Sequence, residues 1–129
     1  MNADVRQLEL DATTSQVIVC AYRVSNALGA GFLERVYENA LAIELRENRI
    51  PFEQQPSYWV RYKEEVVGEY VPDFVVADSV VLEIKATDVL TSIHQAQCMN
   101  YLRATGHSVG LLLNFGAPRL GLKRVVWRF

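Results

Sequence analysis

Asp73, Glu83 and Lys85 are charged residues set inside apolar sequence, in the stretch that runs from Tyr70 to Ala86. Charged side chains are seldom placed among core residues without a partner, a metal or a chemical task. In a strand, alternate residues share a face, so Glu83 and Lys85 point with Val81 while Val80, Leu82 and Ile84 point the other way. Hard divalent cations bind through carboxylate and carbonyl oxygens and keep several waters, so Asp73 and Glu83 can supply a metal edge. A lysine two residues from such a carboxylate can orient an attacking water and neutralise charge developing on a phosphate. These are the groups of phosphodiester hydrolysis.

The elements that must position them follow from periodicity. Residues 1–12 lack a clear period and read as an arm or lead-in, with Thr13, Thr14 or Ser15 as candidate caps. Val17, Cys20, Ala21, Val24 and Leu28 recur at helical intervals, predicting a helix over 16–28 that Gly29 and Gly31 end. A second helical pattern over 32–48 puts Tyr37, Leu41 and Leu45 on one face with Glu34, hence on an inward stripe. Residues 57–62 and 66–70, joined by a polar turn, predict an antiparallel hairpin. Residues 73–76 and 80–85 follow as two more strands around a turn that holds Asp78. Thr87 and Asp88 can cap a helix over 89–105 that ends at Gly106 and carries His94, Gln97 and Tyr101 on one face. The continuous apolar run over 108–115 reads as a strand covered on both sides, and 122–127 as a last strand whose alternation puts Arg124 and Arg128 on one side.

Pro72-Asp73, nine residues, then Glu83-Ile84-Lys85 reads literally as a PD-(D/E)xK signature, and Gln97 with Tyr101 matches the Q-x-x-x-Y element of some exonuclease-like branches. Upstream, Gly31, Glu34 and Tyr37 fall on the motif of the GxxExxY family, a small single-domain branch of the PD-(D/E)xK nuclease superfamily, which the chain resembles from about Thr14 to Val126. The resemblance implies an α/β (α+β) fold with a restriction-endonuclease-like core, a mixed central β-sheet flanked by α-helices. It also implies a metal-dependent nuclease using Mg²⁺ or Mn²⁺ on nucleic acid, with DNA the first candidate substrate and RNA the second. Glu34, Asp73, Glu83 and the Ile84 backbone carbonyl would be metal ligands, with Lys85, Glu83, Asp73 and Gln97 catalytic. Gln97 would contact the nucleophile or a phosphate, and Tyr101 the backbone near the scissile group.

Each motif has a plainer reading. A lone Glu-x-Lys is commonly a solvated strand face, and only the combination with Asp73, Glu34, Gln97 and Tyr101 makes a site. Tyr37 reads as a packing residue with a bonded hydroxyl. His94 reads either as a hydrogen-bonded packing residue or as a contact to a phosphate or a metal. The stretch from Ala117 onward carries Arg119, Lys123, Arg124 and Arg128 and no acid, so it is either a charged strand edge or a phosphate track, with Arg124 and Arg128 as candidate substrate contacts.

At 129 residues, half of them hydrophobic, the chain suits a single domain spanning residues 1–129. A net charge of -2 excludes a grossly basic nucleic-acid binder. A domain of this size has no spare segment for reading a long sequence, so weak sequence preference, a homodimer or a substrate-delivering partner is expected. Cys20 and Cys98 have neither disulfide-framework nor zinc spacing, and no stretch has the length of a membrane span, which fits a cytoplasmic, reduced setting without a membrane partner. The rival reading is a catalytically inactive module of the same fold that binds nucleic acid or protein. A mononucleotide phosphoesterase fits less well, because no Gly-rich phosphate loop is present.

Overall fold

Residues Val80–Lys85 form a strand, β5, buried in every position but the last. The structure, a computed structural model, describes residues 3–128. Alternation along β5 divides its side chains between two cores. Val80, Leu82 and Ile84 join a cluster with Val17 and Val24 of helix α1 (Ala3–Leu28) and Tyr37, Leu41 and Leu45 of helix α2 (Glu34–Glu47). Val81 joins Cys98 and Leu102 of helix α3 (Ser92–Thr105) on the other side. Glu83 and Lys85, in step with Val81, therefore belong to the α3 face.

β5 lies in the middle of a five-stranded sheet of order β1-β4-β5-β6-β7, in which β1 is Phe52–Gln54, β4 Phe74–Val76, β6 Val109–Asn114 and β7 Gly121–Val126. β5 and β6 run parallel and the other neighbours antiparallel, so the sheet is mixed. α3 is the crossover between the parallel pair, as such a connection requires. β2 (Tyr58–Tyr62) and β3 (Glu65–Tyr70) form a separate two-stranded hairpin. This is the mixed sheet between helical layers, of restriction-endonuclease-like kind, expected above. α3 seats closely because β6 presents Gly110 beneath it: a Cβ there would stand 2.7 Å from the Cys98 sulfur.

Four features depart from the sequence expectations. Residues 3–12 are the first turns of α1 rather than an arm; residues 1 and 2 lie outside the described residues. The Thr14 hydroxyl donates back to the Asp11 carbonyl at 3.0 Å, so it is bonded within the helix instead of capping it. β1, which periodicity misses, has only three residues and is defined by its register with β4. α3 begins at Ser92, not Val89, and neither Thr87 nor Asp88 is its cap. Thr91 is the N-cap, and its backbone N–H donates to His94 Nδ1 at 3.0 Å in a reciprocal capping box.

The chain between β5 and α3 is tied down by Asn114. Its Oδ1 accepts from the N–H groups of Thr87 and Gly116, both at 3.0 Å, and its Nδ2 donates to the Thr87 carbonyl at 2.9 Å. Gly116 lies against the Thr87 backbone with no room for a side chain. Tyr37, as expected, is structural: fully buried, stacked on Phe115 with ring centroids 4.9 Å apart, its hydroxyl donates to the Gly29 carbonyl at 2.6 Å and accepts from the Phe32 N–H at 3.1 Å.

Candidate active site

β4 and β5 pair with Phe74 opposite Leu82 and Val75 opposite Val81, so one further step along the register brings Asp73 opposite Glu83. Asp73 stands just before β4, where pairing ends, and two hydrogen bonds hold the acids in place. The Ile84 N–H donates to Asp73 Oδ2 at 2.7 Å, and the Asp73 N–H donates to Glu83 Oε1 at 3.3 Å. Glu83 is 5 % exposed and Asp73 is partly buried. Burial pushes both carboxyls above the ordinary carboxylate range, and each also feels the charge of other acids: Asp73 acts on Glu83, while Glu38 and Glu34 act on Asp73. The Lys85 ammonium and the backbone N–H bonds oppose these shifts without cancelling them. Two acids so placed cannot both ionise readily without added positive charge.

Lys85 ends β5, half-buried, with its carbonyl accepting from the Phe115 N–H at 2.8 Å. The Ile84 side chain is buried in the α1/α2 core. Its N–H and C=O leave the same edge of the strand, and since the N–H meets Asp73, the carbonyl also faces the edge that β4 leaves open. Tyr101 is half-buried with its ring 5.2 Å from that of Tyr70, and its hydroxyl is pushed up first by burial and then by Glu83 and Asp73, so it borders the pair. Gln97, one helical turn earlier, is exposed. Cys98 packs near the same acids, its thiol pushed up to about 12 by burial and by Glu83.

Glu34, Arg124 and Arg128 are placed differently from their sequence reading, and His94 takes the hydrogen-bonded one of its two. Glu34, the first residue of α2, is exposed rather than on an inward stripe, although its charge reaches Asp73. His94 is occupied in the cap of α3. Arg124 lies on the face opposite Lys85, because Val125 is the β7 residue in the α3 core, and it pairs with Asp11 of α1 at 3.2 Å. Arg128 is not its strand neighbour: β7 has ended, the backbone turns to φ +51°, and the guanidinium lies 4.8 Å from the Trp127 ring centre. Among the described residues no three His, Cys, Asp or Glu side chains converge as a metal-binding group.

One residue went unread in the sequence. Glu38 is 4 % exposed, accepts from Gln54 Nε2 at 2.6 Å and from Gln55 Nε2 at 3.0 Å, and raises Asp73 more than Glu34 does. Gln55, at φ +53°, also donates its N–H to the Asp73 carbonyl at 2.9 Å. Glu38 thus connects α2 to the backbone that carries Asp73. The available signal was its spacing: four residues after Glu34, and three, four and seven before Leu41, Ala42 and Leu45.

Asp78, near His107 at 3.8 Å, is in the turn at the far end of β5, beside a hollow of about 540 Å³ that includes none of the candidate site residues.

Residues 11–125 match the family model of the PD-(D/E)XK nuclease superfamily. No curated protein matches the chain. Among solved structures, the crystal structure of SSO0001 is similar in fold, with a TM-score of 0.61 at 17% identity, covering 96% of this chain and 62% of that one. The chain thus spans less than two thirds of the length of that structure.

Proposed function

Because the chain belongs to the PD-(D/E)XK nuclease superfamily, we propose that it is a metal-dependent nuclease of the GxxExxY branch, acting on DNA rather than RNA in a reduced, cytoplasmic setting. The observation that carries this reading is the Asp73–Glu83 pair, one partly buried and one buried acid raised by desolvation and by their neighbours' charge at an open strand edge, with Lys85 on the same face as Glu83. The donor set fits Mg²⁺ or Mn²⁺, since it is all oxygen: the two carboxylates and the Ile84 carbonyl. Such a cation, when bound, supplies positive charge for a phosphate oxygen and lowers the pKa of a coordinated water.

The protein groups do the rest. Ile84 and Asp73 backbone N–H groups fix the carboxylates, leaving their other oxygens for coordination. Lys85 is the positive group that orients the attacking water and offsets charge growing on the phosphate. Tyr101 offers a hydroxyl beside the acids, and Gln97 an exposed amide one turn away. Glu34 acts from the rim, through water. Glu38, through Gln55, holds the strand end that carries Asp73.

Cleavage of single-stranded, double-stranded and branched DNA, and of RNA, with Mg²⁺ or Mn²⁺ tests the proposal. Cleavage should fall by about 10²-fold or more in Glu83→Ala and Lys85→Ala, and cleavage that stays near the parent rate in either variant overturns it. The exposed position of Glu34 favours a second reading, an inactive module binding nucleic acid or protein. Calorimetry separates the two: the nuclease binds a divalent ion that Asp73→Asn abolishes, whereas the inactive module binds none.

A further inference from the structure

α1 carries two apolar stripes. The first, Leu10, Thr14, Val17, Ala21 and Val24, is buried against the sheet. The second, Leu8, Ala12, Ser15, Val19 and Tyr22, is spaced by four, three, four and three residues and is exposed along its length, Leu8 at 69%, Val19 at 50% and Tyr22 at 45%. The two stripes are two residues out of step, about 200° around the helix at 3.6 residues per turn. α1 therefore covers the core with one face and turns a heptad-like seam outward, the spacing by which one helix meets another.

We propose that this outward seam binds a second copy of the chain, α1 against α1 in antiparallel orientation about a two-fold axis. The flanking charges choose the partner. In an antiparallel heptad pair, Leu8 meets Val19 of the second copy and Ala12 meets Ser15, small residues that let the helices approach at the centre. In that register Gln16 lies closest to its own equivalent across the axis, and Glu9 lies closest to the Arg23 of the second copy, twice by symmetry; that guanidinium is half-exposed and also contacts Glu44 at 3.8 Å and Asn48 at 3.3 Å in its own chain. On the opposite flank Asp11, already paired with Arg124 at 3.2 Å, lies nearest Ile18 of the second copy and apart from its own equivalent. A parallel pairing would instead set Glu9 beside Asp4 and Asp11 of the second copy, acid against acid. A nucleic-acid strand is disfavoured on this face by Glu9 and Asp11.

Sedimentation velocity of the full chain over a concentration series tests the proposal. A monomer–dimer equilibrium is expected, weakened at least tenfold by Val19→Glu and by Leu8→Glu, both at exposed positions where circular dichroism should stay unchanged. Cys20 and Cys98 are buried, so an introduced thiol can be cross-linked selectively. Gln16→Cys should join two chains through a short bismaleimide, and Glu9→Cys should not. A protein that stays monomeric, a dimer indifferent to both Glu substitutions, or cross-linking through Glu9→Cys instead of Gln16→Cys would each overturn the arrangement.

Discussion

The two ends of β5 hold the same kinds of side chain under opposite conditions. At one end Asp78 sits in a turn, its side chain 90% exposed, with His107 3.8 Å away. At the other, Asp73 and Glu83 are pressed together between layers, with Lys85 beside them and Glu38 behind. Water screens the first pair, so its contribution to stability is small. The second has lost that screening, and its acids are held in a form they would not choose in water. The position of a charge relative to the sheet layers, more than its identity, separates a solvated turn from a reactive corner.

The largest test of this contrast is catalytic. Lys85→Ala and Glu83→Ala should lower cleavage by about 10²-fold or more, while Asp78→Ala leaves it unchanged. A comparable loss from Asp78→Ala in a steady-state assay would erase the distinction between the ends.

A second test concerns what holds the corner together. Glu38→Ala removes the acceptor of two amide groups at a buried site and should cost about 1–3 kcal/mol in urea unfolding. It should also slow cleavage by more than the unfolded fraction explains, because Gln55 then no longer tethers Asp73.

The third test uses pH without metal. Asp73 and Glu83 have folded-state pKa values above their unfolded ones. Between the ordinary carboxylate range near 4 and the raised values, the folded state binds more protons than the unfolded state. Stability from these groups is therefore complete below that range and is lost as pH rises through it. Thermal melts in chelator should fall in this direction, the slope should flatten in Glu83→Gln, and Asp78→Asn should leave it unaltered.

The smallest effect expected is at His94. Its replacement by Ala removes half of a capping box and should cost about 1 kcal/mol with cleavage per folded molecule preserved. A fall in cleavage far beyond that in stability would restore the phosphate contact.

How much of this was legible follows from which contacts are local. Asp73, Glu83 and Lys85 were readable because strand alternation and one hairpin register bring them together. Tyr37 was readable because its helical stripe is local too. Glu38 was not, since its burial depends on Gln54 and Gln55 from β1, a strand that exists only through its pairing with β4. Arg124 and Arg128 misled because alternation was carried past the point where β7 ends. His94 was ambiguous until the start of α3 was known, for the same imidazole that could meet a phosphate is also the N3 partner of Thr91.

The tight seat of α3 on Gly110 gives the molecule a built-in reporter. The Cys98 sulfur fills the notch that the glycine leaves, is fully buried, and has its thiol pushed up to about 12. A thiol reagent can reach it only when α3 lifts from the sheet. The rate of Cys98 modification under native conditions therefore measures the opening free energy of this one helix, and ligand binding at the acids beneath it should be visible as slower labelling.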